Sequence, residues 1–337
     1  MQRFERLSVS GSVVRKIALA TVVLYALLVL SGGAVRLSGS GLGCPDWPSC
    51  YQHRLVAALS FHPLVEDLNR FFTVGVSIVS VVAFLAALLR APRRRDITWP
   101  AFGLLLGLLA QIVLGGLVVL FKLNPYLVAL HFLLTLVVLA DAIWMYHRTG
   151  VPDEAADGTP QQVVARELRW LVAALLACLA VVTMAGTIVT GSGPHSGSTG
   201  TERIPIAFRD AAELHSSLAW LLLGLVTASL FAFRVARAPE LVQRRARTMF
   251  ELTILQGALG YTQYFLHDAA AIVELHLAGV TCLWIAASGL LLSLHEHVVP
   301  ERTPAQKPTG ADAAATPATT IAAVGTERPA AEPAPLR

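Results

Sequence analysis

The segments LVALHFLLTL (residues 127–136) and IVELHLAGV (residues 272–280) decide the fold, because each places one histidine inside a long apolar run. The two histidines are His131 and His276, and they lie 145 positions apart (276 − 131). An ionisable side chain at membrane depth is costly to bury and is therefore a functional candidate. The shared setting and the spacing indicate that one half of the chain repeats the other.

Two further pairs of residues follow the same frame. Gln111 and Gln256 also lie 145 positions apart (256 − 111), and each is followed four residues later by a glycine, Gly115 or Gly260. A polar residue that recurs with its glycine in a second apolar run is not explained by composition alone. The pattern therefore predicts a tandem duplication.

One histidine of this frame is missing. His215, in AAELHSSLAW, has its counterpart 146 positions earlier (215 − 69) at Asn69, in EDLNR. The string VRLSGSG (35–41) is likewise echoed by IVTGSGP (188–194). The second half thus carries two of the repeated histidines, whereas the first half carries only one.

The composition is that of a membrane protein. Of the 337 residues, 55% are hydrophobic and 14% are charged, and the mean hydropathy is +0.62. Soluble domains carry about 25% charged residues. A helical crossing takes about 20 apolar residues, and the continuously apolar runs predict helices rather than strands. The predicted spans lie near 17–37, 65–90, 99–121, 126–146, 168–190, 208–235, 246–266 and 270–294.

The net charge of +4 does not indicate nucleic-acid binding, because the basic residues follow the positive-inside rule. They all fall on one side of the predicted topology, so both termini should be cytoplasmic and the protein should lie in the cell membrane. No cleavable signal peptide is expected, because the first run lacks a small-residue cleavage site. The basic residues are Arg3, Arg6, Arg15, Lys16, Arg90, Arg93, Arg94, Arg95, Arg148, Arg166, Arg237, Arg244, Arg245 and Arg247.

We predict an all-α integral membrane protein of eight helices, built from two parallel four-helix bundle repeats. Each half has an even number of helices, so both halves enter the membrane from the same side, related by a pseudo-two-fold axis along the membrane normal. The predicted divisions are the first half (1–146), a polar cytoplasmic linker (147–167), the second half (168–297) and a cytoplasmic tail (298–337). The tail is rich in proline and should be disordered.

The three repeated histidines share one depth. In this topology the even-numbered helices begin outside, and His131, His215 and His276 each lie about six residues into a helix, or roughly 9 Å below the outer surface. Imidazoles that face each other across a helix bundle hold haem iron. The simpler alternative is that each histidine only bonds a neighbouring helix. Zinc fits less well, because no cysteine or carboxylate cluster completes a tetrahedral site.

The most specific string is GGAVRLSGSGLGCPDWPSC (32–50), in the first external loop. Cys44 and Cys50 lie in an oxidising location, which favours a disulfide. The disulfide could staple the loop or exchange with a redox partner, and we favour the staple or a role in shaping the substrate site. Among the other histidines, His195 in GSGPHSG is the strongest candidate for a role, although a solvated loop histidine is the simpler interpretation.

Three charged residues lie at the outer ends of the first two helices. Arg36 and Arg70 could extend to the membrane interface or pair with haem propionates. Glu66 comes one turn before Asn69 and Arg70, so the three can share a helix face. Glu66 is a candidate proton acceptor, but an acid near a helix start needs no catalytic function.

These strings resemble the haem A synthase family over nearly all of residues 17–294, and we take the chain to be of the actinobacterial type. The motifs are VR-LSGSG-LG-CPDWP-S-C in the first loop, E-x-x-(H)-R entering the second helix and TGSGPH after the fifth. The histidines of helices four, six and eight complete the resemblance.

The resemblance implies an eight-helix duplicated bundle that oxidises the ring D methyl of haem O to a formyl, with oxygen from water, giving haem A for cytochrome oxidase. It also implies haem O synthase and cytochrome oxidase assembly factors as partners, in a lipid bilayer and without nucleic acid. By resemblance, the residues would be His215 and His276 as axial ligands of a resident haem b, His131 as axial ligand of the substrate haem, Glu66 as the essential acid, and Cys44 with Cys50 as the loop pair.

Asn69 departs from the family, which often has histidine at this position. Asparagine is a poor iron ligand, so Asn69 should lie near the substrate haem without binding it. The rival interpretation of the chain is a di-haem b-type cytochrome that carries electrons, and Asn69 counts against it because it removes a histidine pair. A second rival is a transporter with parallel repeats, for which Gly115, Gly116 and Gly260 are the only hints of helix breaks.

Overall fold

The computed structural model describes residues 8–51, 59–156 and 158–296. Long α-helices account for most of this chain and correspond in order to the eight predicted runs. They are α1 (Gly11–Leu37), α2 (Phe61–Leu88), α3 (Arg95–Leu120), α4 (Pro125–Arg148), α5 (Arg166–Ser192), α6 (Phe208–Val235), α7 (Glu240–Phe265) and α8 (Ala270–Leu292). The all-α prediction is confirmed.

Seven of these described helices are long and apolar enough to cross a membrane, and α7 is not among them. The predicted span 246–266 is helical, but polar side chains such as Thr253, Gln256 and Gln263 dilute its apolar content. The prediction of an eight-helix membrane protein is confirmed, and α7 is the least apolar of its helices. Because α7 packs against both α6 and α8, it belongs to the bundle even though its own hydropathy is modest.

The turns that start α4 and α8 show why these helices begin where they do. Lys122 and Leu123 adopt left-handed backbone angles before α4, and His267 and Asp268 do so before α8. Both pairs are 145 positions apart, the offset of the repeated histidines. Asn124 then caps α4, because its side-chain oxygen accepts bonds from the backbone N–H groups of the first turn. These turns support the two-repeat arrangement, which remains a prediction.

The helices pack in two groups that touch along one side. In the first group, α1 contacts α2 and α4, and α3 contacts the same two helices. In the second group, α5 contacts α6 and α8, and α7 contacts the same two helices. Contacts of α8 with α1 and α4, and of α4 with α5, join the groups. Large side chains such as Leu104, Leu139 and Met249 fill the cores, whereas many apolar residues face outward, as lipid contact requires.

The linker is fastened to the end of the bundle where the predicted cytoplasmic arginines lie. Asp153, in a 3-10 turn, pairs with Arg90 at 2.7 Å and with Arg94 at 3.1 Å. Partial burial opposes ionisation of Asp153, but hydrogen bonds and charges from the two arginines hold the pKa of its carboxyl below the ordinary value. Further along, a short strand β1 (Gln161–Gln162) pairs antiparallel with β2 (His295–Glu296). The predicted tail, 298–337, lies outside the described residues.

Candidate functional site

His215 on α6 and His276 on α8 face each other across the second group of helices. Their ring centroids lie 6.3 Å apart, with the ring planes at 67°. A first-row metal lies about 2 Å from an imidazole nitrogen, so an ion bound to both rings needs centroids about 6 Å apart. The observed spacing therefore fits one metal ion between two imidazoles.

The His215 ring is held in a defined tautomer by a hydrogen bond to the backbone. Its Nδ1 lies 3.0 Å from the carbonyl oxygen of Val182 on α5. Because a carbonyl only accepts, Nδ1 carries the proton, which leaves the lone pair on Nε2 for a metal. The Nδ1 atom of His276 is buried and has no hydrogen-bond partner among the described residues. The two imidazoles are thus close enough for one metal ion to bind both of them.

A glycine on the preceding helix lies against each repeated histidine. A Cβ added at Gly115 would lie 3.3 Å from Cε1 of His131, and one added at Gly260 would lie 3.2 Å from Cε1 of His276. A Cβ added at Gly186 on α5 would likewise lie 3.2 Å from Cε1 of His215. Larger residues at these positions would press on the rings. The sequence pointed to two of these glycines through the repeat, but Gly186 falls outside that frame.

The repeated glutamines fasten the histidine-bearing helices to their neighbours. Gln111 on α3 donates from Nε2 to the carbonyl oxygen of His131 at 3.1 Å, and Gln256 on α7 donates to that of His276 at 2.8 Å. Gln111 also donates to Thr135 Oγ1 at 2.8 Å. The same bond at the same place in both halves explains why a polar residue recurs there.

The first group of helices contains only one repeated imidazole. The Nδ1 atom of His131 is buried and has no hydrogen-bond partner among the described residues. The side-chain oxygen of Asn69 accepts a bond from Ser31 Oγ of α1 at 2.8 Å. One of the two lone pairs of the Asn69 amide oxygen is thus occupied by a bond from α1.

Cys44 and Cys50 form a disulfide, which confirms that prediction. The loop they close lies on α3, because the Trp47 ring packs directly against Gly116. Gly116 follows Gly115, the glycine that packs against His131. The disulfide loop therefore covers the end of the first group of helices beside the candidate substrate site.

Glu66 and Arg70 hold this loop in place. Glu66 is 5% exposed, accepts the Cys44 backbone N–H at 2.8 Å and pairs with Arg70 at 2.7 Å. Arg70 also donates to the backbone carbonyls of Cys44, Asp46 and Ser49. Arg36, in contrast, donates to a carbonyl of the other half, that of Thr190 on α5, at 3.2 Å. Arg36 and Arg70 are the two arginines predicted as possible contacts of haem propionates. Of these two, Arg70 is the one that binds the disulfide loop.

The described residues contain no group of three or more His, Cys, Asp or Glu side chains that could hold a metal ion. The fold and the histidine pair define a multi-pass helical membrane protein with imidazoles facing each other inside the bundle. The family model for cytochrome oxidase assembly proteins matches residues 15–60 and 56–195. The chain belongs to this family, and the predicted family resemblance is confirmed.

Several curated relatives carry the name haem A synthase. The protein from Shewanella oneidensis is 26% identical over 312 residues, covering 78% of this chain and 91% of its own length. The one from Lysinibacillus sphaericus is 27% identical over 51% of this chain and 56% of its own length. The one from Geobacillus kaustophilus is 33% identical over 37% of this chain and 39% of its own length. Over the latter two, the similarity thus spans about half of the relative or less.

Proposed function

We propose that this chain is a haem A synthase, a membrane oxidoreductase that converts the ring D methyl of haem O to a formyl with oxygen from water. The observation that carries the proposal is the His215–His276 pair, whose centroid spacing of 6.3 Å suits one iron between two imidazoles. The family match and the names of the relatives support the same activity. The actinobacterial type remains a prediction.

His215 and His276 would be the axial ligands of a resident haem b. A bound haem supplies one-electron redox chemistry, tuned by its axial ligands and by the polarity around it. The Val182 carbonyl orients the His215 ring, and Gln256 fixes α8 at His276 through the backbone. The first contact orients the His215 ring and the second fixes the backbone that carries His276, which lowers the entropic cost of binding the cofactor.

His131 would bind the iron of the substrate haem O from one side. Asn69 would lie near the opposite side, held by Ser31 rather than by iron. A single strong ligand leaves one coordination position open. The second half would then hold the site for electron transfer, with two histidine ligands. The first half would hold a more open site for the substrate.

Glu66 is our candidate for the group that accepts a proton when the methyl is oxidised. Its carboxylate is buried, lies at the end of α2 near Asn69, and is already ionically paired with Arg70. A buried carboxylate held by two fixed partners at the edge of the bundle is a candidate general base. The same contacts also give Glu66 a structural role in holding the disulfide loop, so the two roles need separate tests.

The protein would lie in the cell membrane with both termini on the cytoplasmic side. The arginines that bind the linker, Arg90 and Arg94, lie at one end of the bundle and the disulfide loop at the other, as the positive-inside rule requires. Haem O synthase would supply the substrate and cytochrome oxidase assembly factors would receive the product.

Pigment analysis of the purified chain tests this function. Haem is extracted and separated by chromatography, and the proposal expects haem b together with haem O or haem A. Haem b alone would favour the electron-carrying cytochrome instead, and a preparation without haem would overturn both.

A further inference from the structure

A cavity of about 590 Å³ lies at the end of the bundle that carries the disulfide loop. Both halves of the chain line it: the first contributes residues between Arg36 and Gly43 together with His62, and the second contributes the stretch 194–201 together with Arg203. The Gly41 N–H donates to the Gly197 carbonyl at 2.8 Å, so the two loops are joined directly. The cavity is thus a fixed part of the junction between the halves.

The lining of this cavity is positively charged. Two arginines and two histidines face it, and none of the lining residues in the described part of the chain is an aspartate or a glutamate. Arg36 and Arg203 lie close enough to repel each other, and Asp268 is the acid that attracts Arg36. Asp268 also accepts a bond from Gln263 at 2.9 Å. Both arginines line the cavity, whereas Asp268 and Glu202 are not among its described lining residues.

The basic side chains are held by neutral partners. Arg36 donates to the Thr190 carbonyl and Arg203 to the Pro194 carbonyl. The His62 ring lies 3.0 Å from Ser40 Oγ, and the His195 ring lies 2.7 Å from the Asp268 carbonyl oxygen. A guanidinium has five N–H donors, so one such bond leaves most of its donors available. The contacts hold the two guanidinium groups in place without pairing them with a carboxylate.

We propose that this cavity binds a carboxylate or phosphate group, which both halves of the protein clamp between Arg36 and Arg203. Guanidinium groups bind such anions through paired, charge-assisted hydrogen bonds. The inference does not depend on the oxidation chemistry proposed above, and it gives a role to Arg203 and His195. Two sources can supply the anion: the propionates of a haem bound in the bundle and the phosphate of an anionic lipid at the membrane surface.

Ligand pairs that differ only in charge distinguish these sources. The purified full chain in neutral detergent is titrated with haemin and with its dimethyl ester, and separately with phosphatidylglycerol and with phosphatidylcholine. The wild type should prefer the anionic member of at least one pair by about tenfold, as expected for a charge-assisted hydrogen bond. Arg203→Gln should abolish this preference, and Arg203→Lys should retain most of it.

The matched control is Arg209→Gln, because Arg209 lies at the same end of the bundle but is exposed, pairs with Glu213 and does not line the cavity. If Arg203→Gln weakens folding, Thr199→Glu replaces it, with Thr199→Gln as its neutral control. Thr199 lines the cavity and is exposed, so the glutamate adds a repelling charge without removing a bond.

If Arg203→Gln loses only the preference for haemin over its dimethyl ester, the ligand is a haem propionate. If it loses only the preference for phosphatidylglycerol over phosphatidylcholine, the ligand is a lipid phosphate. Equal effects of Arg203→Gln and Arg209→Gln, or no preference in the wild type, would overturn the proposal. Failure of the haem sites themselves would show separately, as absence of the low-spin absorption that the histidines produce.

Discussion

At the residue scale, His215 and His276 would give low-spin six-coordinate iron, because their ring centroids lie 6.3 Å apart and both imidazoles could bind one iron. We expect His215→Ala or His276→Ala to remove most of the low-spin haem b signal, because loss of either ligand opens the site. His131→Ala should largely preserve that signal. Absorption spectra of the reduced, purified variants measure the difference, and the reverse pattern would show that the halves are assigned the wrong way round.

Glu66 can be tested without dismantling the loop that it holds. In Glu66→Gln the side-chain oxygen can still accept the Cys44 N–H, and Arg70 keeps its backbone carbonyl partners. We expect protein level and haem b content near those of the wild type, with haem A formation blocked. Glu213→Gln, at an exposed acid paired with Arg209, serves as the control. Normal haem A output from Glu66→Gln would exclude proton transfer by this residue.

Asn69 breaks the repeat where the second half has His215. Asn69→His should supply a second imidazole, and the second half shows that the fold accommodates histidine at the equivalent position. We expect the substrate-loaded protein to shift toward a six-coordinate, low-spin spectrum. The structural cost is the bond from Ser31 Oγ, worth about 1 kcal/mol. Ser31→Ala, which removes the same bond without adding a ligand, is the control, and an unchanged spectrum in Asn69→His would mean that position 69 does not point at the iron.

At the element scale, close packing of helix pairs positions the histidine rings. A side chain at Gly260 would meet His276 Cε1, whereas an added Cβ at Gly257, less than one turn earlier on α7, would have no atom of the described residues within 4 Å. We expect Gly260→Leu to displace the ring and lower haem b retention several-fold, and Gly257→Leu to leave it unchanged. Haem-to-protein ratios after purification measure this. Equal retention in the two variants would mean that the glycine contact does not constrain the ring.

The sequence predicted the elements well, because a continuous apolar run is a local signal and the 145-residue frame shows the same pattern twice. It located the three histidines, the glutamines that anchor α4 and α8, and the disulfide pair. It did not predict that Glu66 accepts the Cys44 N–H or that Trp47 lies on Gly116, because these contacts depend on how a loop folds back onto distant helices. The apolar run 246–266 predicted α7 as a helix, and only its hydropathy is lower than that of the other seven.

At the scale of the whole molecule, the interface between the two groups of helices determines how the candidate sites lie relative to each other. Here α1 and α8 approach closely at Gly33, where an added Cβ would lie 2.7 Å from Glu274 Oε2 and would overlap the Leu277 side chain. Small residues permit this kind of contact between membrane helices. Because α8 also carries His276, a larger side chain at position 33 should displace α8 and with it this candidate haem b ligand.

We expect Gly33→Leu to destabilise the protein by about 1–3 kcal/mol through overpacking, and to lower haem b retention. Gly32→Leu is the matched control, because the adjacent position has no atom within 4 Å of an added Cβ and both changes alter helix propensity equally. Thermal unfolding in detergent and the haem-to-protein ratio are measured together. If both variants behave alike, the α1–α8 contact does not hold the halves together, and the two groups of helices act independently. If Gly33→Leu loses stability but keeps its haem, the interface supports the fold without shaping the site.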